Sequence, residues 1–343
     1  MRVLVCTAQV PFARGGAETL VEGLRDALRE RGHECEIVAL PFSWTPRPNI
    51  MRGALAWRLL DLGVVDGRPV DLVIATKFPS YAVRHPRKVV WLVHQHRQAY
   101  DWYGTHLSDW GAQPGDAEAR QALLRLDRRT LGEARRLFAI SRNVATRLRQ
   151  ANGLAAETLY PPSHLGPLLR PGPFEPFILS VSRLDTAKRI DLLLRGLALD
   201  GGGLRAMIAG RGPEHARLQR LAGELGLGTR VTFTGFLPDA EIAALYARCR
   251  AVYYAPVDED YGFSTIEAFG AGKPVLTTSD AGGVLEFVQD GVSGMVAEPT
   301  PEAIAARLRR LADEPEARRL GEGNRDVVTG ITWDAAVARL TGV

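Results

Sequence analysis

The sequence predicts an α/β protein of two doubly wound domains that face a central cleft, on three observations. Short apolar runs alternate with stretches of helical period along the first half of the chain. Six prolines then occupy the segment from Pro161 to Pro176, which no helix or interior strand tolerates. The alternation restarts after this linker. Strands that are apolar throughout and separated by helices indicate parallel sheets covered on both faces.

The first half predicts five strands and four helices. The strands are short runs rich in Val, Ile and Leu: Arg2–Thr7, Glu34–Leu40, Asp71–Ala75, Lys88–His94 and Arg136–Ile140. The helices carry apolar residues at helical spacing: Ala17–Arg31, Asn49–Leu62, Ala117–Glu133 and Ser141–Asn152. Ser141 is placed to cap the last of them.

The second half repeats the pattern after the linker. Its predicted strands are Phe177–Val181, Arg205–Ala209, Val231–Thr234, Ala251–Ala255 and Pro274–Thr277. Its predicted helices are Arg189–Leu197, Glu214–Leu225, Asp239–Ala247, Thr265–Ala271 and Pro301–Leu311. The domains are therefore predicted at residues 1–165 and 172–330.

The composition is that of a globular protein, with 46% hydrophobic and 24% charged residues. No stretch approaches the ~18–20 apolar residues of a membrane span, and the first residues lack the apolar core of a signal peptide. Three scattered cysteines favour buried free thiols in a reducing, cytoplasmic compartment over a zinc site. Only four of the 43 cationic residues are lysines, so each lysine is more informative than an arginine.

The densest group of polar residues follows the predicted strand Ala251–Ala255. Glu259 lies in the loop, and Gly262 allows a ligand to approach the backbone. The backbone NH groups of Phe263 and Ser264 then begin a helix whose positive end suits phosphate. Glu267 lies about one turn further. The two glutamates can therefore contact different parts of one ligand; the alternative is two acids that complement the helix dipole.

Three further patterns occupy strand ends. Arg183 and Lys188 follow a strand and can converge on a diphosphate, unless they are solvated surface charges. Gly15 and Gly16 follow the first strand and permit close approach of a ligand, although a plain tight turn explains them too. His94 ends the strand that begins at Lys88, and a structural histidine is the alternative there.

Taken together, these residues resemble glycosyltransferase family four, the retaining nucleotide-sugar glycosyltransferases of the GT-B fold with two Rossmann-like domains. Glu259 and Glu267 match the family's E-x7-E motif, and Arg183, Lys188 and residues 277–286 follow in the family's order. The resemblance covers essentially the whole chain and is most specific in residues 177–300. It implies that residues 331–343 cross back onto the first domain.

The resemblance implies a catalytic group of four residues. Arg183 and Lys188 would bind the donor diphosphate and stabilise the leaving nucleotide. Glu259 would contact the hydroxyls of the transferred sugar, and His94 would approach that sugar from the N-terminal domain. Glu267 would hold the ribose hydroxyls.

The remaining donor contacts are implied in the same way. Backbone groups of four residues would lie against diphosphate and sugar: Gly16, Gly262, Phe263 and Ser264. The base would be held near Phe236 and Leu237, with Arg211 bordering its pocket.

The activity that the resemblance implies is transfer of a hexose from a UDP- or GDP-sugar, such as UDP-glucose or GDP-mannose. The acceptor would be a glycan, a lipid-linked sugar or a small molecule, in cell-surface polysaccharide synthesis. The expected course is a same-face displacement in which the departing phosphate takes the acceptor's proton. Residues 258–260 have the D-x-D form of a metal–diphosphate motif, but Arg183 and Lys188 already supply positive charge, so we expect neither metal nor cofactor.

The acceptor is expected on the N-terminal domain. Trp102 and Tyr103 follow His94 closely and can stack on sugar faces; loop packing is the alternative. Arginines interleaved with apolar residues in 47–60 and 120–149 suit peripheral attachment to the anionic inner face of a membrane. Solvated outer faces of helices explain the same pattern.

Other classes of protein fit less well. An NAD-dependent oxidoreductase would need a third glycine after Gly210-Arg211-Gly212 and an acid at the end of the next strand. A non-catalytic sugar-nucleotide-binding protein would not need both cations and both glutamates. Nucleic-acid binding is disfavoured because residues 1–169, with 23 Lys and Arg against 16 Asp and Glu, contain no recognised binding motif.

Overall fold

The computed structural model describes residues 1–12 and 15–342, which divide into two compact units. Unit 1 consists of Met1–Pro162 together with Ile331–Val343, and unit 2 of Ser163–Gly330. Each unit contains one six-stranded sheet in which neighbouring strands run parallel. The predicted α/β class with two doubly wound parallel sheets is confirmed.

Unit 1 is built on a sheet of strand order β2-β1-β5-β6-β7-β8. The strands of unit 1, including a small separate hairpin of β3 and β4, are β1 (Arg2–Gln9), β2 (Glu34–Pro41), β3 (Val64–Val65), β4 (Arg68–Pro69), β5 (Leu72–Ala75), β6 (Lys88–Leu92), β7 (Arg136–Ala139) and β8 (Glu157–Thr158). Its first four helices are α1 (Gly16–Glu30), α2 (Pro48–Leu59), α3 (Asp116–Gly132) and α4 (Arg142–Asn152). Every residue of β5 and β6 is buried, as the apolar runs predicted.

Unit 2 repeats this plan with strand order β11-β10-β9-β12-β13-β14. Its strands are β9 (Phe177–Val181), β10 (Arg205–Ala209), β11 (Val231–Gly235), β12 (Ala251–Tyr253), β13 (Val275–Thr278) and β14 (Gly294–Ala297). Its helices are α5 (Ile190–Leu199), α6 (His215–Glu224), α7 (Asp239–Arg248), α8 (Phe263–Gly270), α9 (Pro301–Ala312), α10 (Glu314–Gly321) and α11 (Asn324–Val328). The core is aliphatic, with Ile178, Leu193 and Ile208 among its fully buried members.

The element ends differ from the predictions by a few residues. Strand β1 continues to Gln9, and helix α8 begins at Phe263 instead of Thr265. Strand β14 and helices α10 and α11 were not predicted. Each is short, with four, eight and five residues, so the periodicity of its sequence is too brief to distinguish it from a loop.

The chain returns to unit 1 through a last helix, α12 (Trp333–Thr341), which packs against α1. A Cβ at Gly23 of α1 would lie 2.5 Å from Cζ2 of Trp333, so only glycine admits this ring. The ring also meets Trp91 of β6 edge-on, with centroids 6.4 Å apart. Arg31 Nε donates to Asp334 Oδ1 at 2.9 Å. The helix is thus part of the core packing of unit 1.

A buried polar cluster lies between α3 and α4. Asp127 of α3 is fully buried, and its Oδ2 accepts a hydrogen bond of 2.5 Å from the hydroxyl of Tyr100. Asn152 Nδ2 donates to the same hydroxyl at 3.2 Å, and Tyr81 lies near the carboxylate. Burial raises the pKa of Asp127 to about 7, and the hydroxyls of Tyr100 and Tyr81 act against the shift. The charge of Arg120 acts on Tyr100, whose pKa it lowers against the effect of burial.

We expect Asp127 to make unit 1 less stable as the pH rises. The unfolded carboxyl ionises near its ordinary pKa of 3.8, whereas the folded one keeps its proton until about pH 7. Stability should therefore fall between these two values and level off above them. Asp127→Asn should remove this loss. The difference in the free energy of unfolding between Asp127→Asn and wild type should therefore change in favour of the variant by up to ~4 kcal/mol as the pH rises from 3.8 to about 7.

The measurement is urea unfolding at several pH values between 5 and 8. Glu118→Gln, which removes a carboxylate from the exposed side of the same helix, serves as the control. A difference between Asp127→Asn and wild type that does not change with pH would contradict the expectation.

Candidate functional site

The candidate site in unit 2 lies where the strand order reverses. Strand β9 pairs with β10 on one side and β12 on the other, and the chain leaves both β9 and β12 at the same edge of the sheet. The loops after these strands carry residues 182–189 and 254–262. This carboxyl edge at a topological switch point is where doubly wound sheets bind ligands.

Lys188 and Glu259 form an ion pair at this edge. Lys188 Nζ contacts Glu259 Oε2, and the hydroxyl of Tyr254 joins the pair, 3.2 Å from Nζ and donating to Oε2 at 3.0 Å. The side chains of the pair are 18% and 17% exposed. Burial by itself would lower the pKa of Lys188, but the charge of Glu259 raises it above its usual value. The cation is therefore permanently charged and held beside the carboxylate.

Arg189 ties the Lys188 loop to two neighbouring loops. Its backbone is left-handed, with φ of 48°, a conformation that costs a non-glycine residue about 1–2 kcal/mol. The guanidinium offsets this strain with hydrogen bonds of 2.7–2.8 Å to Ala255 O, Pro256 O, Thr278 Oγ1 and both carboxylate oxygens of Asp280. The loops after β9, β12 and β13 are thereby fixed relative to one another.

Gly262 marks the start of α8 and cannot be replaced without strain. Its φ is 89°, and a Cβ there would lie 2.9 Å from Cε1 of Tyr254. The backbone NH groups at the start of α8 follow directly. The Ser264 hydroxyl donates to Val181 O at 2.7 Å, which ties α8 to the end of β9. Of Ser264, the backbone rather than the side chain is therefore left for a ligand.

Glu267 lies one turn into α8 and is 5% exposed. Its two carboxylate oxygens accept hydrogen bonds from the hydroxyls of Ser163 and Tyr246. Sequence reasoning missed both partners, as it missed Tyr254, Arg189 and Asp280. Nothing in the sequence near Glu267 indicates them, because they lie on other elements at separations of 104 and 21 residues.

The remaining predicted donor residues of unit 2 are exposed. The Arg183 side chain is 61% exposed, with Nε 4.0 Å from Asp185 Oδ2. Phe236 is 70% exposed, Arg211 is exposed and Leu237 is half-buried. These side chains lie on the loops after β9, β10 and β11, which are neighbouring strands of the sheet.

Two polar atoms near the pair have no partner in the described part of the chain. They are Ser182 Oγ and Asp185 Oδ1, and both are buried. A buried polar atom left without a hydrogen bond costs about 1–3 kcal/mol. Burial also raises the pKa of Asp185. Such atoms are expected where a ligand or water completes a site.

In unit 1, Gly16 begins α1 at the carboxyl end of β1. Gly15, just before the helix, is held by Glu18, whose Oε2 accepts from Gly15 N at 2.8 Å and whose Oε1 pairs with the buried Lys77. His94 follows β6, and its Nδ1 donates to Gln95 O at 2.8 Å, since a carbonyl oxygen can only accept. Glu18 and Lys77 are further residues that the sequence did not single out.

The predicted acceptor residues have cations on their rings. The Arg97 guanidinium lies 4.2 Å from the ring centroid of Trp102, and that of Arg120 lies 4.5 Å from the ring of Tyr103. One face of each ring is therefore covered by a side chain of unit 1. Stacking of a sugar on Trp102 and Tyr103 stays a prediction, and it concerns the ring faces opposite to the two arginines.

His96, two residues after His94, is packed among aromatic side chains. It is buried among Phe42, Phe78 and Trp110, with ring centroids 5.6–6.3 Å away. Burial, with a smaller effect of His94, lowers the pKa of His96 to about 4, so the ring is neutral. Across residues 1–12 and 15–342, no three His, Cys, Asp or Glu side chains are grouped so as to hold a metal ion.

Comparison with known proteins agrees with this geometry. The family model "Glycosyltransferase Family 4" matches residues 14–161, and the model "Glycosyl transferases group 1" matches residues 171–327. The chain belongs to glycosyltransferase family four. The predicted family resemblance is thereby confirmed.

The family-four chain also has curated relatives. It is 33% identical over 174 residues to a D-inositol 3-phosphate glycosyltransferase of Nocardia farcinica, covering 47% of this chain and 38% of the relative. It is 30% identical over 172 residues to a GDP-mannose-dependent α-(1-6)-phosphatidylinositol dimannoside mannosyltransferase of Mycobacterium tuberculosis, covering 49% and 43%. The matched segments thus span less than half the length of these relatives.

Solved structures share the whole fold of this family-four chain. A sucrose-phosphate synthase from Thermosynechococcus elongatus superposes with a TM-score of 0.76 at 21% identity, covering 100% of this chain and 98% of the other. HepE of Anabaena in complex with UDP-glucose superposes with a TM-score of 0.72 at 19% identity, covering 100% of both. Both likenesses establish the GT-B fold.

We expect Gly262→Ala to destabilise unit 2 and Gly223→Ala to stabilise it. An alanine at 262 would be forced into a left-handed backbone against Tyr254, at a cost of at least ~1–2 kcal/mol. Gly223 lies in α6 with open space around its would-be Cβ, so alanine there should add about 0.5–1 kcal/mol. Thermal unfolding of the two variants beside wild type is the measurement. Equal effects of both substitutions would contradict the role given to Gly262.

Proposed function

We propose that this protein is a retaining glycosyltransferase that moves a hexose from a nucleotide-diphosphate sugar to a glycan, lipid-linked or small-molecule acceptor. The observation that carries the proposal is the Lys188–Glu259 pair beside the start of α8, at the switch point of a family-four chain. A fixed cation, a helix N-terminus and a carboxylate meet there. This combination suits a substrate that has a diphosphate on one side and hydroxyls on the other.

The cations supply the stabilisation that the reaction needs. As the bond between the sugar C1 and the diphosphate oxygen breaks, negative charge grows on the diphosphate. Lys188 and the backbone NH groups of Phe263 and Ser264 face that charge and need no reorganisation during the step. The exposed Arg183 is assigned to the same charge. We propose that they replace a divalent metal and that no cofactor takes part.

Retention is proposed to follow from a displacement on one face of the sugar. The acceptor oxygen forms its bond to C1 on the side from which the diphosphate leaves, and the acceptor's proton passes to the departing phosphate oxygen. Glu259, held by Lys188 and Tyr254, is assigned to the sugar hydroxyls rather than to nucleophilic attack. The contact of His94 with the transferred sugar stays a prediction.

The base of the donor is either uracil or guanine in this proposal. One relative is named as GDP-mannose-dependent, and HepE was solved with UDP-glucose. The exposed Phe236, with Leu237 and Arg211, is assigned to the base. The proposal therefore includes both donor classes and leaves the choice to experiment.

The test is a panel of UDP-glucose, GDP-mannose and related donors, incubated with the protein and excess chelator. Slow release of nucleoside diphosphate should occur with one class of donor. Lys188→Ala should reduce this rate about 100-fold, the usual effect of removing one charge-stabilising group. Arg217→Ala serves as the control, since Arg217 of α6 pairs with Glu214, just before that helix, and with Asp191 of α5. Once an acceptor that the protein uses is found, NMR of the product should show the same anomeric configuration as in the donor, as expected for retention.

Three outcomes would count against the proposal. Release that requires Mg²⁺ or Mn²⁺ would make Asp258 and Asp260 candidates for a metal site. Wild-type activity of Lys188→Ala would remove the diphosphate assignment. Binding of every donor without release or transfer would favour a sugar-nucleotide-binding protein.

We also propose that unit 1 rests on an anionic membrane through α2. Met51, Leu55 and Leu59 follow one another at one-turn spacing and are 41%, 57% and 76% exposed. Arg58 near the end of α2 pairs with Glu133, which directly follows α3. Helix α3 also carries two exposed arginines, Arg128 and Arg129. An apolar stripe beside exposed arginines suits the interface of an anionic bilayer. Within the described residues, no helix is both long and apolar enough to cross a membrane.

Flotation with vesicles tests this contact. The protein should float with vesicles that contain phosphatidylglycerol, less so at high salt, and little with phosphatidylcholine alone. Leu55→Asp with Leu59→Asp should abolish flotation. The control is Leu199→Asp, at a leucine of unit 2 that is 50% exposed. Flotation that survives the double substitution would exclude α2 as the contact.

A further inference from the structure

The carboxylate of Glu267 is held by one hydroxyl on each oxygen. Ser163 Oγ donates to Oε1 at 2.7 Å, and the hydroxyl of Tyr246 donates to Oε2 at 2.8 Å. The three side chains are 8%, 0% and 5% exposed for Ser163, Tyr246 and Glu267. They belong to the proline-rich linker, to α7 and to α8. The contact therefore joins three separate parts of unit 2.

The direction of the Ser163 hydrogen bond is fixed by a second contact. Its Oγ accepts a hydrogen bond from Leu165 N at 3.1 Å, so its own proton is directed to Glu267. Leu169, a few residues on, packs so tightly on α8 that a Cβ at Gly270 would lie 2.9 Å from its Cδ1. The segment that carries Ser163 is thus seated on the helix that carries Glu267.

The two hydroxyls decide what this carboxylate can bind. Burial raises the pKa of Glu267, and the hydrogen bonds from Ser163 and Tyr246 act against the shift. An ionised carboxylate has about four acceptor positions, of which these two bonds take one on each oxygen. The remaining positions accept only donor groups, such as a pair of neighbouring hydroxyls. A protonated carboxyl would lose half of that capacity.

We propose that Ser163 and Tyr246 are positioning residues that keep Glu267 ionised and oriented, so that the site selects ribonucleotides over nucleotides without ribose hydroxyls. This inference rests on the proposed function, in which Glu267 holds the ribose of the donor. Neither residue touches the nucleotide in this account. Both act through the carboxylate that does.

The test compares four nucleotides, UDP, GDP and their 2′,3′-dideoxy forms, by titration calorimetry. Wild type should bind the ribonucleotide of its preferred base at least ~10-fold more tightly than the dideoxy form, as for hydrogen bonds to a charged group. Ser163→Ala and Tyr246→Phe should each weaken ribonucleotide binding about 10-fold. Binding of the dideoxy form should not change, so the ratio between the two affinities collapses.

Matched variants separate positioning from folding. Ser293→Ala removes a serine hydroxyl that is equally buried, at 7% exposure, and bonded only to backbone groups, Gln289 N and Phe287 O. It should leave the ratio at its wild-type value. Ser163→Thr keeps the hydroxyl and should restore discrimination.

The dependence on pH gives a second readout. Two further groups act on Glu267: His164 lowers its pKa and Asp239 raises it. Because both are present in every variant, removing the Ser163 hydroxyl should raise the pKa of Glu267. On acidification, discrimination should therefore be lost at a higher pH in Ser163→Ala than in wild type. The ribonucleotide and its dideoxy form carry the same diphosphate, so protonation of that group affects both affinities equally. The ratio of the two affinities therefore reports on the protein alone.

Each outcome bears on a different claim. The positioning role would be overturned if Ser163→Ala and Tyr246→Phe kept the wild-type ratio of ribonucleotide to dideoxynucleotide affinity. It would also be overturned if they weakened the binding of both nucleotides by the same factor. A wild type that binds both forms equally would overturn the assignment of Glu267 to ribose. A wild type that binds none of the four nucleotides would overturn the proposed function itself.

Discussion

The cost of taking charged side chains out of water governs how the loops of unit 2 are arranged. Lys188 is paired with Glu259, and Arg189 with Asp280, across loops that follow different strands. Glu267 depends mainly on two hydroxyls, with a smaller electrostatic contribution from His164. Each of these contacts joins segments that are distant in sequence. The edge of the sheet is therefore a network in which the loss of one partner affects several loops.

Two buried ionisable side chains of unit 1, Lys88 and Asp127, are satisfied in a different way. Lys88 is 1% exposed, and its ammonium donates to the carbonyl oxygens of Tyr81, Val83 and Thr130. Burial lowers its pKa to about 8, with Glu133 acting against the shift. Asp127 likewise has tyrosine hydroxyls as neighbours. Lys88 and Asp127 thus depend mainly on neutral partners, whereas the buried Lys77 of the same unit is paired with Glu18.

The sequence predicts the sheets well because buried parallel strands consist of apolar residues alone. It also predicts the positions of Lys188, Glu259 and Gly262, since a doubly wound sheet brings the ends of its strands to one edge. It does not predict Tyr254 as the bridge of the ion pair, because a tyrosine at a strand end is equally typical of a core. Arg189 was predicted as the first residue of a helix, whereas it adopts a left-handed conformation just before α5. That conformation depends on the partners of its guanidinium, and pairings over 66–91 residues cannot be inferred from local periodicity.

The position of α12 has a consequence for synthesis on the ribosome. Unit 2 is encoded entirely before this helix, while α1 and β6, which Trp333 contacts, are made long before it. A nascent chain can therefore complete unit 2 while the groove around Gly23 is still open. Until α12 emerges, the apolar surface that it covers on unit 1 is available to chaperones or to another chain. Helix α12, which is synthesised last among the elements of unit 1, thus completes the packing of helix α1 and strand β6, which are synthesised much earlier.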